Sequence, residues 1–190
     1  MCGRYNLEWN AEDEHLRVLF QEIRDRYQND PLLSEMKTGE IFPTNLVPAL
    51  LENGQAGLAY WGYPKWDGKG HIINARSETA HERPMFKSGK PCLLPASGYY
   101  EWAPAQNGGR KTKMYFTEKQ SPVMYLAGLY RSRKAGAPEF VILTRAADTG
   151  PDEVHDRMPV IIPERSKAAW LQHRDAHSVV QADGLNWAPA

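Results

Sequence analysis

Residues 91–102 read Pro91-Cys92-Leu93-Leu94-Pro95-Ala96-Ser97-Gly98-Tyr99-Tyr100-Glu101-Trp102. Apolar and aromatic side chains dominate, and Pro95 and Gly98 rule out an unbroken helix, so the stretch reads as β-structure punctuated by turn residues. The same texture recurs on both sides. Segments 45–51, 57–63, 71–74, 113–117, 123–130, 140–144 and 159–162 are short and β-like. Between them, Asn53-Gly54, Asp67-Gly68 and Asn107-Gly108-Gly109 supply residues that tolerate positive φ. Helical patterns are fewer. Over 11–28, Leu16, Leu19, Phe20, Ile23 and Tyr27 recur at helical spacing, with Asn10 as N-cap and Asn29-Asp30-Pro31 as the stop. A short helix is expected after Ser77 and another over 164–172. Many strands close in sequence with few helices predict an α+β fold. We expect a single domain over 1–190, a largely antiparallel curved sheet or open barrel with a few flanking helices.

Composition agrees with one globular unit. The 190 residues suffice for one hydrophobic core, and 42% apolar with 24% charged residues excludes a disordered or fibrous chain. No apolar run approaches the ~18 residues of a membrane-spanning helix. The start, Met1-Cys2-Gly3-Arg4-Tyr5-Asn6, lacks the basic stretch and apolar run of a secretory signal, so a cytoplasmic location is expected. Twenty-three basic residues balance 23 acidic ones, so a polyanionic partner must meet a local basic patch. A mean hydropathy of −0.60 alongside six Trp and nine Tyr gives a polar chain rich in flat rings, most for the core and a few available to stack on bases.

Familiar catalytic signatures are missing. The sequence has no phosphate-binding glycine loop, HExxH, CxxC pair or GxSxG elbow. His173 and His177 lie four apart without a third ligand, so neither a metal nor a cofactor is expected.

Cys2 carries the most chemistry. A small second residue allows removal of the initiator methionine, leaving a cysteine with a free α-amine of pKa ~8 next to a thiol of pKa ~8.5. Such a 1,2-aminothiol attacks an aldehyde through nitrogen to give an imine, then closes a five-membered thiazolidine through sulfur. The ring closure is intramolecular and gains the corresponding advantage in effective concentration. This chemistry asks for an amine and thiol exposed at the first position of the mature chain.

Five ordered motifs accompany it: Cys2-Gly3-Arg4-Tyr5, Trp61-Gly62, Ile73-Asn74-Ala75-Arg76-Ser77-Glu78-Thr79, Gly98-Tyr99-Tyr100-Glu101-Trp102 and His155-Asp156-Arg157-Met158-Pro159. Together they resemble the SRAP family, the SOS-response-associated peptidases or abasic-site-processing proteins, from residue 2 to about residue 163. The resemblance implies a DNA-damage protein, most simply a monomer, that crosslinks covalently to abasic sites in single-stranded DNA. The open-chain aldehyde of an abasic deoxyribose is the electrophile that a terminal aminothiol traps.

By motif, the resemblance makes Cys2 the nucleophile and Asn74 the residue that hydrogen-bonds the crosslinked sugar and holds the terminus. An amide orients without titrating; the residue-level alternative for Asn74 is a strand-ending turn. Glu101 takes the place of the family carboxylate and would shuttle a proton, with partial burial raising its pKa, unless it is only an outward strand residue. His155 takes the place of the family histidine, exchanging protons near neutrality during ring opening or reversal, unless it is a structural hydrogen-bonded group. Arg4, Arg76 and Arg157 would gather around these residues as phosphate ligands. Trp66 resembles an aromatic that stacks beside the lesion, although its spacing from Trp61-Gly62 is slightly shorter than in some members. Pro43 and Met85 are assigned as wedges that splay the strand.

Elsewhere, the basic runs 110–113 and 131–134 read as solvated faces and Cys92 as a buried strand residue. The ending Leu185-Asn186-Trp187-Ala188-Pro189-Ala190 departs from the family pattern, so a final strand is expected to be missing, truncated or replaced. Two other functions stay open. One is an amino-terminal cysteine peptidase with His155 as base, of which self-removal of Met1 is a limited form. The other is a non-covalent single-strand binder. A Schiff base alone would also permit β-elimination, a lyase-type side reaction.

Overall fold

A computed structural model describes residues 2–10, 13–105, 109–174 and 184–190. Its strands are β1 (Arg4–Leu7), β2 (Gly39–Ile41), β3 (Leu46–Leu50), β4 (Ala56–Trp61), β5 (Tyr63–Pro64), β6 (His71–Ile72), β7 (Asn74–Arg76), β8 (Lys90–Ala96), β9 (Gly98–Ala103), β10 (Thr112–Glu118), β11 (Met124–Arg131), β12 (Glu139–Ala146), β13 (Arg157–Pro159), β14 (Ile161–Ile162) and β15 (Leu185–Pro189). The α-helices are α1 (Glu14–Arg26), α2 (Leu32–Glu35), α3 (Pro84–Lys87) and α4 (Lys167–His173). The fold is α+β.

The larger sheet runs β13-β12-β4-β3-β8-β11-β14, and β12 also pairs with β11, so the path β12-β4-β3-β8-β11 returns to its start. The circuit is pinched where β3 meets β8 through a single registered pair, Leu50 with Leu93, so it is a strongly curved sheet and not a clean barrel. Among the described strands, β12 pairs in parallel with β4 and β7. The second sheet runs β15-β10-β9-β1-β2 and is antiparallel throughout.

The stretch 91–102 is where the chain passes from one sheet to the other. β8 belongs to the curved sheet and β9 to the five-stranded one, with Ser97 between them. The switch is held from outside the stretch: the Ser97 main-chain N–H donates to the Asn6 carbonyl at 2.7 Å, and Ser97 Oγ accepts from the Glu8 N–H at 2.9 Å. Gly98 follows because a Cβ there would lie 2.5 Å from both the Phe116 main-chain oxygen and the Tyr115 ring.

Helix α1 buries Leu16, Leu19, Phe20 and Ile23 against β3 and β4, each apolar side chain contributing about 1.5–3 kcal/mol. Its N-cap is Asp13, whose Oδ1 accepts from the Leu16 N–H at 2.9 Å, and not Asn10 as the pattern suggested. The cap satisfies the third helical N–H, so the helix begins at Glu14; Ala11 and Glu12, part of the predicted helix, lie outside the described residues. After Ser77 the chain makes turns before the short α3, and the predicted helix at 164–172 opens as a 3₁₀ turn before α4. Asn107-Gly108 of one predicted turn also lies outside the described residues, as does His177. Of the alternatives expected for the final strand, missing, truncated or replaced, the first is corrected. β15 pairs antiparallel with β10 from Leu185 opposite Glu118 to Pro189 opposite Met114, and Trp187 packs on Phe116 at a centroid distance of 6.1 Å. No described helix is long and apolar enough to cross a membrane.

Candidate functional site

β1 follows directly on Cys2 and lies between β2 and β9, with Arg4 opposite Tyr100 and Tyr5 opposite Tyr99. The start of the chain is therefore fixed in the middle of a sheet. Strand alternation then sorts the side chains of β9: Tyr99 and Glu101 are buried, at 1% and 6% exposure, while Tyr100 and Trp102 face the other way, half-buried.

Asn74 arrives from the other sheet. It opens β7, whose parallel pairing with β12 sets Asn74 opposite Ile142. Trp61, fully buried, supports this segment by donating from Nε1 to the Ile73 carbonyl at 3.0 Å, while its ring lies 5.4 Å from Tyr5 and stacks on Phe140. Gly62 turns the chain immediately afterwards, at φ +113°, where a Cβ would meet the His71 Cβ at 2.9 Å.

Asn74 Nδ2 donates to the Cys2 main-chain oxygen at 2.8 Å, so the two sheets meet at this point. Asn74 Oδ1 is buried with no hydrogen-bond partner, and so is the Tyr5 hydroxyl. Cys2 itself is fully buried, its Sγ donating to the Arg4 carbonyl at 3.6 Å. Burial pushes its thiol up to about 12, and the Glu101 carboxylate adds to the rise. The expectation of an exposed terminal residue is thus corrected for the chain as encoded. Leaving Cys2 at the root of an internal strand, tethered through its carbonyl, holds its side chain inside. Tyr5 and Tyr99 flank it, and burial raises both hydroxyls, with the nearby Cys2 contributing. Sequence reasoning quoted both tyrosines inside motifs without giving them a role. Met1 lies outside the described residues.

His155 sits just before β13. Its Nδ1 accepts from the Arg157 N–H at 3.0 Å and lies 2.8 Å from Asp156 Oδ1. A bare Nδ1 suits the first contact and an Nδ1–H the second. β13 reaches the Asn74 strand through β12, which places Ala146 opposite Arg157 and Thr144 opposite Arg76.

The arginines differ. Arg76 is exposed. Arg157 makes a bidentate pair with Glu78, at 2.6 and 2.9 Å, and donates to the Thr144 carbonyl at 2.6 Å. That pair holds the Glu78 carboxyl down at about 2. Arg4 lies 3.3 Å from Glu40, over the rings of Phe42 and Trp102. These partnerships were illegible in sequence, where an arginine near a motif says nothing of the carboxylate that folds against it.

Trp66 is 95% exposed at the tip of the β5–β6 hairpin, where the Gly68 N–H donates to the Lys65 carbonyl at 3.0 Å and Asp67 Oδ1 accepts from the Lys69 N–H. Pro43 is half-buried in a turn beside Thr44, which is held at φ +75°. Met85 packs partly against the core from α3. Of the basic runs, Arg110 and Lys111 are exposed, but Arg131 lies over Tyr63 and pairs with the buried Glu139, and Arg133 covers Tyr60. Cys92 is buried. No cluster of metal-ligating side chains occurs among the described residues.

Fold and site together define a small α+β protein organised around its own first residues, which one sheet encloses and an amide from the other secures. The chain belongs to the SOS response associated peptidase (SRAP) family, whose model matches residues 1–188. It is 31% identical to the abasic site processing protein YoqW of Bacillus subtilis, over 92% of this chain and 82% of the relative. It is 28% identical to the abasic site processing protein YedK of Escherichia coli, over 100% of this chain and 91% of that protein. Among solved structures, a protein from Bacteroides thetaiotaomicron superposes with a TM-score of 0.78 at 20% identity, covering 99% of this chain and 91% of its own. A protein from Bordetella bronchiseptica gives 0.74 at 20% identity, covering 100% and 99%. At these identities the two structures establish the shared fold.

Proposed function

We propose that this chain processes abasic sites in single-stranded DNA by linking its Cys2 covalently to the lesion. The observation that carries the reading is the Asn74 to Cys2 hydrogen bond of 2.8 Å beside the buried Glu101. It fixes the position of the one residue able to offer an amine and a thiol on adjacent carbons. The relatives' names, abasic site processing proteins, point to the same substrate.

The reaction starts with hydrolysis of the Met1–Cys2 peptide bond, which releases methionine and frees the Cys2 α-amine. The amine adds to C1′ of the open-chain sugar, and the resulting carbinolamine loses its hydroxyl as water to form an imine. The thiol then adds across the C=N bond: sulfur bonds to C1′, its proton ends on nitrogen, and the thiazolidine closes with one water lost overall. Glu101 accepts the proton that the amine sheds on attack and returns it to the departing hydroxyl. His155, between the Arg157 N–H and the Asp156 carboxylate, assists opening of the deoxyribose ring. Trp66 stacks on a base, Arg76 takes a phosphate, and Pro43 and Met85 splay the strand, while Arg4 and Arg157 exchange Glu40 and Glu78 for phosphates. Asn74 Oδ1, buried without a partner, accepts from a sugar hydroxyl.

The peptidase reading is weaker. Burial raises the Cys2 thiol and so keeps it protonated near neutral pH, which disfavours direct attack on an amide. Thiol addition to an imine inside the site needs no free thiolate when a base removes the proton as the bond forms.

The test is to mix the purified chain with single-stranded DNA carrying one abasic site, denature, and look for a retarded species. An adduct that Cys2→Ala abolishes is expected. No adduct, or one that survives Cys2→Ala, would overturn the reading.

A further inference from the structure

Strand β15 has no role in the chemistry above, yet one of its side chains lies on the face of the sheet that holds Glu101. Trp187 is registered opposite Phe116 of β10, and Phe116 opposite Tyr99 of β9, so the three rings share the inward face with Glu101. They form a row. Trp187 stacks on Phe116 at 6.1 Å and 20°, and Phe116 stacks on Tyr99 at 4.7 Å and 8°. Tyr99 in turn flanks Cys2.

The far edge of the Trp187 ring meets the other sheet. Gly150 lies in the loop 147–156 between β12 and β13, at φ +100°, and a Cβ there would be 2.6 Å from Trp187 Cη2 and 3.2 Å from Cζ2. The missing side chain lets the loop main chain rest directly on the indole. From this seat hydrogen bonds lead to the histidine: the Gly150 N–H donates to Asp152 Oδ1 at 2.9 Å, the Glu153 N–H to the Gly150 carbonyl at 3.0 Å, and the His155 N–H to the Pro151 carbonyl at 3.1 Å. The Ala147 N–H closes the base of the loop on the Asp156 carbonyl at 2.9 Å. β15 belongs to the sheet that encloses Cys2, and the loop joins two strands of the sheet that carries Asn74. Trp187 on Gly150 is thus a second tie between the sheets, beside the Asn74 to Cys2 bond.

We propose that Trp187 is a positioning residue: its ring seats the 147–156 loop and so fixes where His155 stands relative to the sheet that carries Cys2. It acts through Gly150 on one side and through Phe116 and Tyr99 on the other. A reacting group displaced by about 1 Å can lose up to ~10²-fold in rate, so a distant ring that sets a loop's position bears on the chemistry. The proposal rests on the proposed function for the task of His155 and on these contacts for the seat.

Trp187→Phe keeps a ring to stack on Phe116 but lacks the Cη2–Cζ2 edge that meets Gly150, so the loop loses its seat while the strand stays paired. Two measurements on the full chain test the consequence. By hydrogen exchange, the Glu153 and His155 amides are expected to exchange about tenfold faster or more in Trp187→Phe, with those of β11 unchanged. In adduct formation on single-stranded DNA carrying one abasic site, the maximal rate is expected to fall about tenfold, with the DNA concentration at half-maximal rate unchanged. In a His155→Ala background the same change is expected to cost no more than about twofold, because the seated group is already gone. Unchanged loop exchange, acceleration shared equally by β11, a loss confined to the half-maximal concentration, or a rate loss of equal size in both backgrounds overturns the proposal. If the wild-type chain forms no adduct, the crosslinking reading fails, and the seat stands or falls on the exchange data alone.

Discussion

Asn74 donates its side-chain N–H to the main-chain oxygen of Cys2 across 72 positions of sequence, and this bond joins the start of one sheet to a strand of the other. The same side chain keeps Oδ1 buried and unpartnered. Its two halves therefore act in opposite directions on stability, one contributing a hydrogen bond and the other carrying an unmet desolvation cost.

Replacing Asn74 by Ala removes both halves at once. The change leaves the buried Cys2 carbonyl without this donor, at about 1–3 kcal/mol, offset in part by deletion of the orphaned acceptor, so unfolding in urea should shift by about 1–2 kcal/mol. Adduct formation should fall by about tenfold or more, because Cys2 loses its anchor and a misplaced reacting group is penalised steeply. A stability loss that accounts for the whole decline would make Asn74 a structural residue only.

Burial of both thiols makes a second prediction. Cys2 is pushed up to about 12, and burial raises Cys92 as well. In a preparation that retains Met1, iodoacetamide near neutral pH should label neither cysteine of the folded chain and both in concentrated urea, as read by intact mass. Rapid labelling of Cys2 in the folded, Met1-bearing chain would contradict the enclosed position.

Much of the fold was legible because the strands announce themselves by texture. Segments 45–51, 113–117 and 123–130 coincide closely with β3, β10 and β11. The division of 91–102 was not, since both halves are apolar and the switch at Ser97 is enforced by Asn6 and Glu8 from a distant part of the chain. β1 escaped because Arg4-Tyr5-Asn6-Leu7 is too short to carry a period, and β15 because it is mostly exposed beyond its first residue. At the site, Cys2, Asn74 and Glu101 were marked by motif, and the folded chain brings them together. The carboxylates that occupy Arg4 and Arg157 were beyond reach, as neither Glu40 nor Glu78 differs in sequence from a solvated acid.

The Glu78–Arg157 pair gives stability a pH signature. Glu78 titrates at about 2 in the folded chain, against an ordinary 4.5, chiefly because Arg157 hydrogen-bonds its carboxylate. Below 4.5 the unfolded chain binds this proton first, so stability is fully present above that value and is lost as pH falls toward 2. Glu78→Gln should therefore show a smaller drop in urea midpoint between about pH 5 and pH 2.5 than wild type; Asp148 and Glu40, both also lowered, supply the remainder. Identical slopes for the two proteins would mean that solvent screening cancels the pair.

Trp66 separates binding from folding. At 95% exposure, on a turn held by main-chain bonds and by Asp67, its ring supports nothing beneath it. Trp66→Ala should leave the urea midpoint within about 0.5 kcal/mol of wild type. If the ring stacks on a base beside the lesion, the same change should weaken binding to single-stranded DNA by about 1–3 kcal/mol, visible as a shifted titration and as loss of fluorescence quenching on DNA addition. Since stacking tolerates any base, the loss should be similar for oligothymidylate and for mixed sequence. Because stacking carries no charge, the salt slope should not change. Unaltered affinity in Trp66→Ala would remove the hairpin tip from the DNA path and leave the exposed ring without an assigned role.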